Sequence, residues 1–360
     1  MAKKLTDDLK AQSDAADLER DPLIRRLRAE ITKLTKRIEE HETDENIIVQ
    51  KVLEAWDEPL QLDIPAPPKQ SKKLPTEIPI LHLSDVHIGK VTPTYNSAIA
   101  AERVALAITK TTEITEIRRS QARIDECRVY LGGDMIEGEV IFGHQAHTID
   151  QHVFGQACKS GPEIFAAAIL GLLGTFQRVH CVAVPGNHGR SGSRKSTSHP
   201  DTNWDSVLYR VTQEIVKRQA EAAGRGNDIT WNVPSDRTES WYAVDRVFGW
   251  GNLLIHGHQI RGGFAGFPWY NANRRAWGYI DAIEQSWNYL WMGHFHTMTM
   301  THMNKRTLFA NGSTESSNTH AKEEMAAMGY PAQRLVFCNE KYGVISDNPL
   351  YLSDEQKPNR

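Results

Sequence analysis

The sequence predicts an α/β fold of the α+β kind, in which a two-sheet β-sandwich core is flanked by helices and preceded by an N-terminal helical extension. Three observations carry this. After a proline-rich stretch, apolar β-rich runs alternate with helix-length segments, and from about Ile229 onward shorter β-rich runs dominate. Helices wrapped on a two-sheet core fit both halves. The third observation is a set of short polar strings: Asp85-Val-His87, Gly133-Asp134, Gly186-Asn187-His188, His256-Gly-His258 and Gly293-His294-Phe-His296. Four follow the apolar runs Ile80 to Leu83, Val129 to Leu131, Val182 to Val184 and Leu253 to Ile255, and the fifth follows Tyr289-Leu-Trp-Met. That places them where strands end, on one rim of a sheet, where open α/β folds gather their chemistry.

Taken in order, residues 1–59 read as helical. Asp21-Pro22 is a good helix start, and Ile24, Leu27, Ile31, Leu34 and Ile38 then recur at alternating steps of three and four, a short coiled-coil seam. About two heptads fall short of the three to four that a free-standing coiled coil needs. The seam therefore either packs on its own chain or serves self-association or a partner helix through residues 22–40. Ile47 to Trp56 extends that helix or starts a second one. Residues 60–79, with Pro65, Pro67, Pro68, Pro75 and Pro79 among lysines, form a semi-rigid linker. The main domain is expected over 80–350, with a polar tail over 351–360. Within it helices are expected near Ser97 to Arg119, over Gln151 to Phe176 with a break around Ser160 to Pro162, near Trp204 to Ala222, and over Pro268 to Ser286. Later strands are expected at Ser240 to Val244, Thr307 to Ala310 and Arg334 to Phe337.

At 360 residues and 40% hydrophobic content the chain can bury a sizeable core. Its net charge of −3 gives no global attraction to nucleic acid or anionic membranes, so any polyanion must be held by a local patch. Cys127, Cys158, Cys181 and Cys338 are far apart and form no C-x-x-C pair, which argues against a zinc knuckle and a disulfide framework and favours a reducing cytoplasm. Met1 to Lys10 is polar, with no apolar stretch behind it to make a secretory signal. The longest uncharged run, Ile164 to Gln177, is too short for a bilayer and reads as a buried helix, so no membrane partner is expected.

In this order the five strings resemble the calcineurin-like metallophosphoesterase superfamily, over roughly Ile78 to Thr314, and within it the nuclease subunits of double-strand-break repair exonucleases. The resemblance implies a metallophosphoesterase-type sandwich holding two divalent ions. Asp85, His87, Asp134 and His296 would hold one, and Asp134, Asn187, His256 and His294 the other, with Asp134 as the bridge. A mixed set of carboxylate, imidazole and amide oxygen suits Mn²⁺ first, with Fe²⁺ or Zn²⁺ as alternatives. Such a pair provides a metal-activated hydroxide at neutral pH, so no covalent protein nucleophile is needed. The same resemblance implies that His188 faces the leaving oxygen and that Glu137 orients its ring. His82, His180 and His258 read as structural, and His144 and His147 as residues of a solvated loop.

Substrate class rests on smaller signs. In the serine/threonine phosphatase branch of that superfamily an Arg follows the acidic residue matched here by Glu137 and grips a monoester dianion. This chain has Gly138, which tilts the expectation toward a phosphodiester. The loop Gly189-Arg-Ser-Gly-Ser-Arg-Lys195 either offers Arg190, Arg194 and Lys195 as substrate-binding groups or is simply a solvated loop, the two readings weighing equally. Phe264, Phe267, Trp269, Tyr270 and Trp277, mixed with Arg274 and Arg275, either stack on unpaired bases or form an amphipathic helix with its aromatics in the core, the second being preferred. The first expectation is a phosphodiesterase or nuclease acting on DNA. A phosphomonoesterase or small-nucleotide phosphodiesterase is the alternative, and a non-catalytic metal-binding scaffold the alternative of another class.

Overall fold

A computed structural model describes residues 49–54, 64–143, 145–192, 203–234, 240–262, 266–316 and 329–353. The heptad seam of residues 22–40, His144, Arg194, Lys195, Phe264 and the tail beyond 353 lie outside the described residues. The chain forms two compact units, Met1–Asp57 and Glu58–Arg360. In the first, residues 49–54 are helical, and Val49 and Leu53 are buried. The second unit carries the sandwich.

Its first sheet contains β1 (Glu77–Leu83), β2 (Glu126–Leu131), β3 (Arg178–Ala183) and β4 (Ile229–Asn232), paired in that order and parallel. The other sheet begins with β5 (Tyr242–Val247), antiparallel to β6 (Trp250–Ile255), which runs parallel to β7 (Tyr289–Met292). A hairpin of β8 (Thr299–Met303) and β9 (Arg306–Ala310) completes it, β9 lying parallel to β7. The chain then returns to the first sheet, where β10 (Ala332–Asn339) pairs antiparallel with β1 and β11 (Gly343–Tyr351) forms the edge. Between the sheets lies a core of Ile80, Tyr130, Val182 and Val336 from one side and Leu254, Tyr289, Trp291 and Phe309 from the other. Trp291 is fully buried there, stacked on Phe309 with ring centroids 4.4 Å apart.

Helices α1 (Ser97–Arg118), α2 (Gly161–Thr175) and α3 (Trp204–Ala222) lie side by side on the first sheet, touching β11, β3 and β4 respectively. Asn96 starts α1 in extended conformation, its Oδ1 accepting the Ile99 N–H at 2.9 Å. Asn203 starts α3 in the same way, accepting from Asp205 at 2.8 Å. The break expected around Ser160 to Pro162 is instead a wide turn over Gln156–Ser160 that joins a short helical turn, Val153–Gly155, to α2 without interruption. Pro162 sits in the first turn of α2, where its missing N–H costs nothing. The wide turn aims Gln156 inward, where Oε1 accepts the Gly138 N–H at 2.9 Å. The whole stretch Val153–Thr175 is long and apolar enough to cross a membrane, yet 61% of its most apolar window is buried inside the fold.

A fourth helix, α4 (Trp269–Ala282), covers the outer face of the second sheet, packing Ala272, Ala276 and Tyr279 on Leu253, Leu290 and Leu308. The five strings end β1, β2, β3, β6 and β7. They therefore stand on the adjoining rims of two sheets, which corrects the expectation of one rim on one sheet. The sandwich interior sets its stability: Trp291→Ala should cost about 3–5 kcal/mol, whereas Trp277→Ala on the exposed side of α4 should stay within about 0.5 kcal/mol. Urea unfolding followed by circular dichroism reads both.

Candidate metal centre

The strand-end loops carry unusual backbone. Asp85, His87, Asp134, His294 and His296 all have φ between 50° and 70°, five of the seven described non-glycine residues at positive φ. Each costs about 1–2 kcal/mol, and such strain persists only where surroundings over-determine it. Here they do. Beyond the ends of β1 and β2 the ladder continues, with Asp85 N–H on Gly133 O and His87 N–H on Asp134 O, both at 3.0 Å. The His294 N–H donates to both carboxylate oxygens of Asp85, at 2.9 and 3.0 Å. Glycine allows the closest approach: a Cβ at Gly186 would stand 2.1 Å from Asp134 Oδ1.

Among the described residues two groups of donors, Asp85, His87 and His296 in the first and Asp134, His256 and His294 in the second, have ligand atoms within 4.8 Å of one another, and so does a third, His87, Glu137 and His188, which shares His87 with the first. In the first, His87 Nδ1 lies 2.9 Å from Glu137 Oε2 and His296 Nδ1 lies 2.7 Å from Glu315 Oε1. Those carboxylates place each imidazole proton on Nδ1. The two Nε2 lone pairs then face each other at 3.1 Å, with Asp85 Oδ1 3.3 Å from the His296 one. In the second group, His256 Nδ1 donates to Gly132 O at 2.8 Å, so its Nε2 lone pair faces Asp134 Oδ2 at 2.9 Å and Asn187 Oδ1 at 3.2 Å. Acceptors packed this closely, and largely shut from water, repel unless a proton or a metal cation stands among them. The donor set therefore fits divalent metal at both places.

The electrostatics tell the same story. Burial would lower the pKa of His296, but the carboxylates of Glu315 and Asp85 push it up to about 10. Burial would likewise lower His256, which Asp134 and Asp85 push up to about 9. His294, buried beside His256, falls to about 3. Burial would raise Asp134, yet His256 and His188 hold it well below the usual carboxylate range. The pocket is strongly negative and demands positive charge.

His188 sits at the edge of these groups. Its N–H donates to Asp134 Oδ1 at 2.7 Å, and its Nδ1 lies 3.0 Å from Glu137 O and 3.2 Å from Glu137 Oε2. Burial would lower its pKa, but Glu137 and Asp134 push it up to about 9. Glu137 thus serves two rings, those of His87 and His188. Arg190 is close enough for its charge to lower His258, after burial, which dominates. Arg194 and Lys195 lie outside the described residues. Gly138 has φ of 75° and a Cβ there would stand 2.4 Å from His188 O, so this backbone has no room for a side chain at that position. His82 is fully buried, with neither ring nitrogen hydrogen-bonded, and its pKa falls to about 3 through burial. His180 Nδ1 is 2.7 Å from Thr230 Oγ1, and His147 is exposed on its loop.

Sequence reasoning missed three members of this site. Glu315 comes from the segment after β9, whose Ser313 Oγ and Thr314 N–H both donate to Asp85 O. Lys90 Nζ bridges the two outer carboxylates, 2.5 Å from Glu315 Oε2 and 3.9 Å from Glu137 Oε2. Asp205, in the first turn of α3, accepts the N–H groups of Asp134, Met135 and Gly186 at 2.9, 3.1 and 2.8 Å, clamping the loops after β2 and β3. Burial, with Asp134 nearby, pushes its own pKa up to about 6. The available signal for Glu315 was its position just beyond an apolar β-run, Thr307 to Ala310, the same rule that located the five strings.

No protein-family profile matches the chain, and no curated protein matches it. Solved structures give faint likenesses. A single mutant of Vps29 from Entamoeba histolytica is 12% identical with a TM-score of 0.33, over 76% of this chain and 99% of that one. A hypothetical protein, PH1004, from Pyrococcus horikoshii OT3 is 10% identical with a TM-score of 0.39, over 77% and 90%. A novel archaeal phosphodiesterase is 10% identical with a TM-score of 0.34, over 75% and 99%. The residues themselves carry the functional reading. Glu315→Gln, which keeps an acceptor for His296 Nδ1 but removes its charge, should weaken Mn²⁺ binding by about 10- to 100-fold in calorimetric titration while the far-ultraviolet circular dichroism is unchanged.

Proposed function

We propose that this chain is a binuclear metal-dependent phosphoesterase that hydrolyses phosphodiesters, with nucleic acid as the polymeric substrate. The observation that carries the reading is the pair of buried acceptor clusters, each straddling the two sheets, with His188 anchored at their edge. Asp85, His87, Asp134 and His296 would hold one ion and Asp134, Asn187, His256 and His294 the other. The mixed oxygen and nitrogen donors favour Mn²⁺, with Fe²⁺ and Zn²⁺ as the alternatives. When bound, such ions polarise the phosphoryl group and lower the pKa of water.

The chain's own residues supply the remainder. His188 is held at Nδ1 by Glu137, through both its carboxylate and its carbonyl oxygen, which leaves Nε2 to give a proton to the departing oxygen. Its main-chain N–H fixes Asp134, so the proton donor and a carboxylate that would hold metal are tied together. Gly138 supports the diester reading, because no guanidinium can project from that backbone to grip a dianion. A scaffold without catalysis would leave the anchored proton of His188 with no task. Four buried free thiols suit a reducing compartment, and we place the protein in the cytoplasm.

Under Mn²⁺, bis(p-nitrophenyl) phosphate should be hydrolysed faster than p-nitrophenyl phosphate; a strong monoester preference would move the assignment to a phosphomonoesterase. Asp134→Asn should abolish turnover and lower the metal content seen by mass spectrometry. His188→Ala should keep both ions and lose about 10²- to 10⁴-fold in kcat, with a smaller loss when the leaving group is p-nitrophenolate than when it is an alkoxide. Equal losses for the two leaving groups would argue against proton donation.

A further inference from the structure

Helix α4 reverses the packing that its composition suggests. Small residues, Ala272 and Ala276, together with Tyr279, face the second sheet, while Trp269, Tyr270 and Trp277 stand 49%, 77% and 44% exposed. Arg274 and Arg275 are exposed beside them, and neither has a carboxylate partner among the described residues. Tyr270, Arg274 and Trp277 fall at i, i+4 and i+7, one stripe along the helix about 10 Å long. A merely solvated face would be built from charged and small polar side chains. Here two large aromatic rings flank one guanidinium, and Arg275, about 100° farther round the helix, is exposed on the neighbouring flank.

The stripe is tied to the metal loop. Trp269 packs edge-on against buried Phe267, with centroids 4.8 Å apart, and Phe267 packs against Phe295 at 5.3 Å. Phe295 is the residue between His294 and His296, and Thr297 Oγ1 donates to Gly266 O just ahead of the helix. A second exposed aromatic, Tyr330, follows Gly329, whose Cβ would stand 2.7 Å from His296 O. Two buried rings, Phe267 and Phe295, therefore separate the outward-facing Trp269 from the donors.

We propose that the exposed face of α4 binds unpaired nucleotides, the bases stacking on Trp269, Tyr270 and Trp277 and the phosphates pairing with Arg274 and Arg275. Flat rings with guanidinium groups beside them match a strand whose bases are unstacked and whose backbone is anionic. Duplex DNA hides its base faces and offers this stripe only phosphates. The proposal rests on the phosphodiesterase reading for its substrate, and it supplies the local patch that a chain of net charge −3 needs to hold a polyanion.

The test uses the full chain with Mn²⁺ and fluorescent homo-oligomers of thymidine and of uridine carrying phosphorothioate linkages, with a duplex of equal length and anionic phospholipid vesicles as competitors. Wild type should bind single strands more tightly than duplex. The double variant Tyr270→Ala/Trp277→Ala should lose about tenfold or more in single-strand affinity, with turnover of bis(p-nitrophenyl) phosphate unchanged. Arg274→Glu/Arg275→Glu should flatten the salt dependence of binding, because fewer counterions are released. Equal affinity of variants and wild type, a duplex preference, or vesicle binding lost in the same variants would overturn the assignment. Oligomer binding that the variants abolish, in a protein inert toward the small diester, would retain the surface and reject the catalytic reading.

Discussion

The structure depends on holding acceptors together against their mutual repulsion. Two imidazole lone pairs at 3.1 Å, and a carboxylate, an amide oxygen and a third imidazole within 3.2 Å, are costly wherever water is scarce. The loops meet that cost with covalent geometry and hydrogen bonds. Left-handed backbone at five donors turns consecutive side chains inward, and Gly186 and Gly293 remove the Cβ atoms that would collide with Asp134 and Asp85. Asp205 then fixes the peptide N–H groups from two loops at once, so the donors cannot separate without breaking a buried carboxylate's bonds.

A second ring of charge surrounds the first. Glu137 and Glu315 fix the protonated nitrogens of His87, His188 and His296, and Lys90 lies between the two carboxylates. The ammonium offsets part of the negative charge those carboxylates bring into the buried site, so the imidazoles can be oriented without making the pocket still more anionic. A buried charge of this kind is tolerable only because its partners are equally fixed.

Much of this was legible from residue order. Strand ends are marked by apolar runs that give way within two residues to Asp, Gly or His, and the five strings found in this way stand at the ends of β1, β2, β3, β6 and β7. What it could not show was partnership across distance. Asp205 serves Asp134 from 71 positions away, and the chain between them includes the whole of α2. Lys90 and Glu315 are farther apart still, and no periodicity links them. The edge strand β11 escaped notice because Ser346, Asp347, Asn348 and Pro349 mask its alternation, and β8 because its two apolar residues, Met300 and Met303, are three apart and out of step with a two-residue period. In α4 the aromatics suggested a core that Ala272, Ala276 and Tyr279 in fact provide, while of the neighbouring rings Phe267 is buried and Trp269, Tyr270 and Trp277 are exposed. The seam of residues 22–40 lies outside the described residues.

Each donor group takes members from both layers of the sandwich: Asp85 and His87 from the first sheet meet His296 from the second, and Asp134 and Asn187 meet His256 and His294. Cations bound there would act as rivets between layers. Their binding free energy would add to that of the Trp291–Phe309 interface, at about 2.7 kcal/mol per site when free metal is a hundredfold above its dissociation constant. Fold and cofactor would then be one thermodynamic system, in which a cavity opened in the sandwich interior weakens metal binding and metal depletion lowers the stability of the sandwich.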